Sequence, residues 1–228
     1  PNMVLGRANK FYLNFSKKLI CYSKNLINLP TGIHQKIATI KPLIRKEYYE
    51  SNTYIKKDNL FTIIIIGGSQ GAKIFDELLN KSFVKIAKEV SLKIIHQTSE
   101  KNIQFLSNFY SQNNIESKVF SFDHNLNEVL KQGDLCITRA GASSLAELSL
   151  LNIPFVAIPL PSSRDNHQYE NAKYYKEQGC CWIIDQKNFD NQKFEKLLLE
   201  LVNKSQDYMI KKNNLQKLNY QNTWNNVN

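Results

Sequence analysis

Three groups of residues have the types and spacing to hold a small anionic ligand. The densest lies in residues 134–172, DLCITRAGASSLAELSLLNIPFVAIPLPSSRDNHQYENA. Ala140, Gly141 and Ala142 make a small-residue turn, where bulkier side chains would keep a ligand off the backbone. The helix that follows has an N-terminus that favours anions. Ser143 and Ser144 add hydroxyls, and Glu147 adds a carboxylate. The Ser144-x-x-Glu147 spacing also fits a capping box, in which Glu147 would only satisfy orphan N–H groups at the helix start.

The second group is Gly67-Gly68-Ser69-Gln70-Gly71-Ala72, a glycine-rich turn of the kind whose amides cradle phosphates. It is not GxGxxG, which argues against a standard dinucleotide site. It does contain G-x-S-x-G, the nucleophile elbow of α/β-hydrolases, with Asp165 and His167 as partners for Ser69. Such an elbow follows several strands, whereas this turn follows the first clear one. The third group is the polar loop at 161–168 and the helix behind it. There His167, Gln168 and Asn171 are placed to read sugar hydroxyls or simply to cap and solvate the helix. His96, at a strand end, reads as a packed histidine.

These groups need strand ends to position them. FTIIII at 61–66 is a run for a strand buried on both faces. It leads through the glycine turn into a helix reaching about residue 88. Further strands are expected at 92–96, 118–122, 135–137, 154–160 and 181–184. Helices are expected at 100–113, 126–131, 144–151, behind the 161–168 loop, and over 190–218, with Gly179 ending the fifth helix. Strands alternating with helices predict an α/β domain, a parallel sheet of about six strands with helices on both faces. The turns after the first, fourth and fifth strands then converge on one crevice. Ahead of the sheet, Leu5, Ala8, Tyr12, Phe15 and Leu19 recur at helical spacing and predict an amphipathic helix. Residues 28–59 read as irregular strand pieces and a linker.

The chain of 228 residues, 42% hydrophobic, is long enough to bury a core, and it has no 18-residue apolar run. The first apolar stretch is broken by Lys17 and Lys18, unlike a signal peptide. The four cysteines show no metal-ligand spacing and read as reduced thiols. The net charge of +10 is unevenly placed. Residues 1–57 hold eleven Lys or Arg against Glu47 and Glu50, while the rest holds nineteen against eighteen acids. The leading segment therefore carries a basic field, which suits anionic lipid or nucleic acid and fits equally a solvated Lys-rich surface. It shows no nucleic-acid motif and little aromatic interleaving.

Taken in order, IIIIGGSQGA, IIHQT and DLCITRAGASSLAEL…IPFVAIPLP…DNHQYENA resemble the C-terminal domain of the MurG family. These are the UDP-N-acetylglucosamine transferases that make the lipid-linked disaccharide-pentapeptide of bacterial peptidoglycan. The opening PNMVLGRANKF is similar to the family's QNxVxGxxN segment. The resemblance implies a GT-B architecture. Residues 1–59 would be the end of an N-terminal domain and a linker, 60–200 the UDP-sugar donor domain, and 201–228 a C-terminal helix and tail. It implies that Ser69, Gln70, Ala142, Ser143 and Ser144 face the diphosphate and nucleotide. Phe122 and Asp123 would lie by the uracil, Glu147 would take the ribose hydroxyls, and His167, Gln168 and Asn171 would take the sugar. Asn2 and Arg45 match donor-contacting positions; the family's Gly-Asn-Pro-Val-Arg motif stands here as Lys41-Pro42-Leu43-Ile44-Arg45. His167 replaces a Gln-type neighbour found in some members.

The partners implied are UDP-N-acetylglucosamine, the undecaprenyl-linked muramyl-pentapeptide and anionic lipid at the cytoplasmic face of the inner membrane, with no metal or cofactor. The family's GGTGGH segment, with its catalytic-base histidine and the acceptor site, has no counterpart in these residues, so none is named a general base. A same-fold UDP-sugar epimerase, a binding-only module and the Ser69 hydrolase are the alternative readings.

Overall fold

The computed structural model describes residues 2–50, 59–68, 73–218 and 220. The leading segment contains α1 (Arg7–Tyr12), β1 (Leu19–Cys21), β2 (Ile37–Thr39) and α2 (Glu47–Glu50). Then follow β3 (Phe61–Ile66), α3 (Lys73–Leu78), α4 (Asn80–Ala87), β4 (Leu92–Gln97), α5 (Ile103–Gln112), β5 (Glu116–Phe120) and α6 (Leu126–Leu130). The second half contains β6 (Leu135–Thr138), α7 (Ala142–Leu150), β7 (Phe155–Ala157), α8 (His167–Glu177), β8 (Cys181–Ile183), α9 (Asn191–Val202) and α10 (Gln206–Leu218).

The main sheet has six parallel strands in the order β5-β4-β3-β6-β7-β8. All six residues of β3 are buried because both faces are covered. Period-two alternation sends Phe61, Ile63 and Ile65 into one core with Phe75, Leu79 and Phe83 of the α3–α4 region. Ile64 and Ile66 go into the other, with Leu145 and Leu148 of α7. The chain runs outward from β3 to β5, then returns to β6 and runs outward on the other side. The switch point therefore lies between β3 and β6, where ligands bind in open parallel sheets. The strands expected to feed the crevice, β3, β6 and β7, are adjacent at the centre.

Helix α10 is tied across the sheet edge. Trp182 Nε1 donates to Asp207 Oδ2 at 2.7 Å, and Lys211 Nζ lies 4.7 Å from the indole ring. Gly179 ends α8 at φ +66, and a Cβ there would stand 2.8 Å from the Asn214 amide nitrogen.

Four expectations are corrected. The leading amphipathic helix is only α1. Gly6 gives it no side-chain cap, and the chain turns after Tyr12, with Ser16 Oγ bonded to the Leu13 carbonyl at 3.0 Å. Leu13 is buried instead, and Phe15 is 80% exposed. Strand β5 lies two residues earlier than expected. It is an edge strand, held partly by a Lys93–Glu116 ion pair at 2.6 Å, so its polar residues disguised it. Helix α7 starts at Ala142 with Gly141 as N-cap, which removes the Ser144–Glu147 capping box. Strand β7 ends at Ala157, because the prolines at 159 and 161 cannot donate to a ladder.

The leading segment forms a separate two-stranded parallel sheet, β1 with β2. Among the described residues no helix is long and apolar enough to cross a membrane. The four cysteines are buried and free.

Candidate functional site

The crevice is built on the ends of β3, β6 and β7. Strand β3 delivers Gly67 and Gly68, and the latter sits at φ +86, a conformation that favours glycine. Ser69 and Gln70, expected on this turn, lie outside the described residues. Strand β6 delivers Thr138 and Arg139, then α7. The first intrahelical bond runs from Leu145 N–H to the Gly141 carbonyl at 3.0 Å. The amides of Ala142, Ser143 and Ser144 thus have no intrahelical acceptor, and Gly141 has no side chain to supply one. An uncapped helix end beside a glycine turn suits a negatively charged group.

Glu147 sits in the second turn of α7 and is 6% exposed. Its carboxylate is held by α2 and the residues ahead of it. Arg45 Nε lies 3.1 Å from Glu147 Oε1, and Tyr48 donates its hydroxyl to Oε2 at 3.0 Å. Arg45 Nη2 donates to the Tyr48 hydroxyl at 2.8 Å, which closes a ring of three side chains. Burial pulls the Arg45 guanidinium down, but the Glu147 charge and hydrogen bond, with Tyr48 and Glu47, together outweigh it and leave its pKa raised. Burial, followed by the Glu147 charge, raises the Tyr48 phenol far above its usual range, so its proton stays on.

Arg139 was not singled out from the sequence, although its place at a strand end was a signal. Its Nη1 donates to the Ile158 carbonyl at 2.8 Å, and its guanidinium lies 4.8 Å from the Phe75 ring centroid. Burial lowers its pKa. Among the described residues no carboxylate pairs with it. It adds positive charge to the switch point.

The loop after β7 places two of the three expected sugar readers. His167 Nδ1 lies 2.7 Å from the Arg164 carbonyl, which only accepts. That nitrogen therefore carries the hydrogen, and in the neutral ring Nε2 is an acceptor. Gln168 Oε1 accepts Leu160 N–H at 2.8 Å, leaving its Nε2 as the group to offer a hydroxyl. Asn171, the third, is engaged by the protein itself. It is 2% exposed, its Oδ1 accepts Met3 N–H at 2.9 Å, and its Nδ2 donates to Asn2 Oδ1 at 3.2 Å and to the Ala140 carbonyl at 3.1 Å. Its amide is spent joining the leading segment to the turn before α7, and Asn2 reaches the site through it.

Phe122 and Asp123 follow β5, two strand spacings of roughly 4.8 Å from β3. Phe122 is 70% exposed and edge-on to His124. It offers an open ring face at the crevice's far end. Asp123 Oδ1 accepts Asn125 N–H at 2.9 Å, and Oδ2 pairs with Lys118 at 3.1 Å. That backbone bond, with help from Lys118, lowers its pKa.

Behind the glycine turn lies a buried polar network. Asp76 of α3 accepts from Thr98 Oγ1 at 2.6 Å and Asn102 Nδ2 at 2.7 Å, and His96 Nε2 lies 3.2 Å from its Oδ1. His96 Nδ1 meets the Tyr110 hydroxyl at 2.8 Å. His96 is fully buried, as a packed residue. No group of three or more His, Cys, Asp or Glu among the described residues is placed to hold a metal ion.

The family model described as "Glycosyltransferase family 28 C-terminal domain" matches residues 62–223. A Pelagibacter ubique protein named UDP-N-acetylglucosamine–N-acetylmuramyl-(pentapeptide) pyrophosphoryl-undecaprenol N-acetylglucosamine transferase is 43% identical over 228 residues, all of this chain and 64% of that protein. A Rickettsia bellii protein of the same name is 36% identical over 208 residues, covering 88% of this chain and 58% of its own length. The chain thus spans about three fifths of these relatives. The crystal structure of Acinetobacter baumannii MurG superposes with a TM-score of 0.76 at 24% identity, over 95% of this chain and 60% of that one, and shows the same fold.

Proposed function

The chain belongs to glycosyltransferase family 28, whose C-terminal domain it carries, and from that premise we propose that it holds UDP-N-acetylglucosamine as donor for transfer to undecaprenyl-linked muramyl-pentapeptide, lipid I to lipid II. The observation that carries this reading is the convergence at one switch point of a buried carboxylate, Glu147, with the open helix end of α7 and the Gly67–Gly68 turn. A nucleoside diphosphate needs a receptor for the ribose diol and one for the phosphates, side by side.

In this reading the α7 amides and Arg139 face the diphosphate, Phe122 stacks on the uracil, and Gln168 and His167 meet the sugar. The acceptor hydroxyl attacks the anomeric carbon opposite the diphosphate, the bond to the leaving oxygen breaks, and configuration inverts. Negative charge grows on the departing diphosphate, where the helix end and amides stabilise it more than in the ground state. The acceptor's proton goes to a base outside these residues. We assign residues 60–200 to the donor domain, 1–59 to the end of an N-terminal domain with its linker, and 201–228 to a terminal helix and tail.

Calorimetric titration with UDP-N-acetylglucosamine tests the reading. Saturable binding, competed by UDP and weaker for the guanosine analogue, is expected. A folded chain that binds neither uridine nucleotide rules it out.

The same reading places the protein peripherally on the cytoplasmic face of the inner membrane. Phe11, Tyr12 and Phe15 are exposed beside Arg7, Lys10, Lys17 and Lys18, an aromatic patch within a basic field. Each basic residue near an anionic surface contributes about 1 kcal/mol. Vesicles containing phosphatidylglycerol should co-sediment the chain at low salt and release it at high salt, and Phe11→Ala with Phe15→Ala should weaken capture. Indifference to anionic vesicles at low salt would remove this assignment.

A further inference from the structure

The ring of Arg45, Tyr48 and Glu147 contains an arrangement that a simple ion pair would not need. Arginine closes on a carboxylate most strongly as a fork, with two parallel N–H donors on the two oxygens. Here the fork is split. Arg45 Nε goes to Glu147 Oε1 at 3.1 Å, but Nη2 is diverted to the Tyr48 hydroxyl at 2.8 Å. Tyr48 in turn supplies the hydrogen for Glu147 Oε2 at 3.0 Å. Tyr48 is 4% exposed and lies beneath the guanidinium, 5.0 Å from ring centroid to Arg45 Cζ, so the wedge is packed in place. Each carboxylate oxygen then has one protein donor and keeps a lone pair for another.

We propose that Tyr48 is a positioning residue for ribose recognition: by splitting the Arg45 fork it holds the Glu147 carboxylate open to the two vicinal hydroxyls of a nucleotide. This rests on the reading of Glu147 as the ribose acceptor. Without the Tyr48 hydroxyl, Arg45 Nη2 is free to swing onto Oε2 and chelate the carboxylate, and the diol must then compete with a bidentate pair. The raised phenol pKa fits this role, since the group donates throughout the working pH range. The residue acts through Glu147 and touches no reacting atom.

The test measures dissociation constants of uridine 5′-diphosphate and 2′,3′-dideoxyuridine 5′-diphosphate for the wild type and for Tyr48→Phe, which keeps the ring packing. The wild type should prefer the ribonucleotide. Tyr48→Phe should lose about tenfold in affinity for uridine 5′-diphosphate, the cost of about one charge-assisted hydrogen bond, with the dideoxy affinity unchanged. The dideoxy nucleotide also reports that the variant is folded. Equal losses for both nucleotides would make Tyr48 a packing residue and overturn the proposal. So would an unchanged or tighter uridine 5′-diphosphate constant in the variant. A wild type that binds both nucleotides equally would instead remove the ribose role of Glu147, and the proposal with it; that failure is visible before any variant is made.

Discussion

Replacing Glu147 by alanine is expected to weaken UDP-N-acetylglucosamine binding about 100-fold, because two charge-assisted hydrogen bonds to the ribose are lost at about 1.5 kcal/mol each. The fold should weaken less, by about 1–2 kcal/mol, since the buried Tyr48 hydroxyl loses its acceptor. Arg45 is half-exposed and retains Glu47 at 3.3 Å, so it is not left as a stranded charge. Glu147→Gln keeps the shape and one accepting oxygen but loses the charge and offers Tyr48 an amide in place of an oxygen. It should bind the donor nearly as poorly while unfolding closer to the wild type. Calorimetry beside urea denaturation separates the two effects. If both variants bind with wild-type affinity, the carboxylate does not meet the ligand.

The second large effect concerns stability. Asp76 is 5% exposed, accepts from Thr98 and Asn102, and faces His96. Asp76→Ala strands these groups, with Tyr110 and Asn80 behind them, and should cost about 3–4 kcal/mol of unfolding free energy. Burial pushes the Asp76 carboxyl up, but the hydrogen bonds from His96, Thr98 and Asn102 outweigh it and hold its pKa below the usual value. The stabilisation from a depressed carboxyl is complete above the unfolded value of about 3.9 and is lost as pH falls through the lower folded value. Wild-type stability should therefore fall below about pH 4 more steeply than that of Asp76→Ala. Denaturation curves at pH 7 and at about pH 2.5 check both statements; parallel curves at both pH values would deny Asp76 this role. Because Asp76 lies in the helix after the glycine turn, the loss should also loosen that turn and weaken nucleotide binding.

Much of the six-stranded domain was legible because its central strands are buried on both faces. FTIIII needs no partner to be recognised, and the small-residue turn at 140–142 announces a helix end. What failed depended on context. The start of β5 was misplaced by two residues because an edge strand pairs its charges across to a neighbour. The capping-box spacing was real in sequence, but the helix starts at Ala142, with Gly141 as N-cap, two residues ahead of the expected 144–151 span. At the site, the residue types were readable and their partners were not. Tyr48 lies 99 residues from Glu147, with no local pattern linking them. Asn171 was recognised as a polar residue facing the crevice, but only the packed chain shows its amide spent on Asn2, Met3 and Ala140.

Those distant partners also set an order in time. Met3 waits for Asn171, 168 residues later; Arg45 waits for Glu147, 102 residues later; Lys41 reaches the Leu218 carbonyl, 177 residues later. At a synthesis rate of about 5–20 residues per second, these residues leave the ribosome roughly 5–35 s before their partners exist. During that interval the β1–β2 pair lacks its contacts with the six-stranded sheet and its helices, and Phe11 and Phe15 remain on the surface even after those contacts form. For these contacts folding in the cell therefore runs against the order of synthesis: residues 2–50 meet their partners only once the strands and helices that follow them have been made.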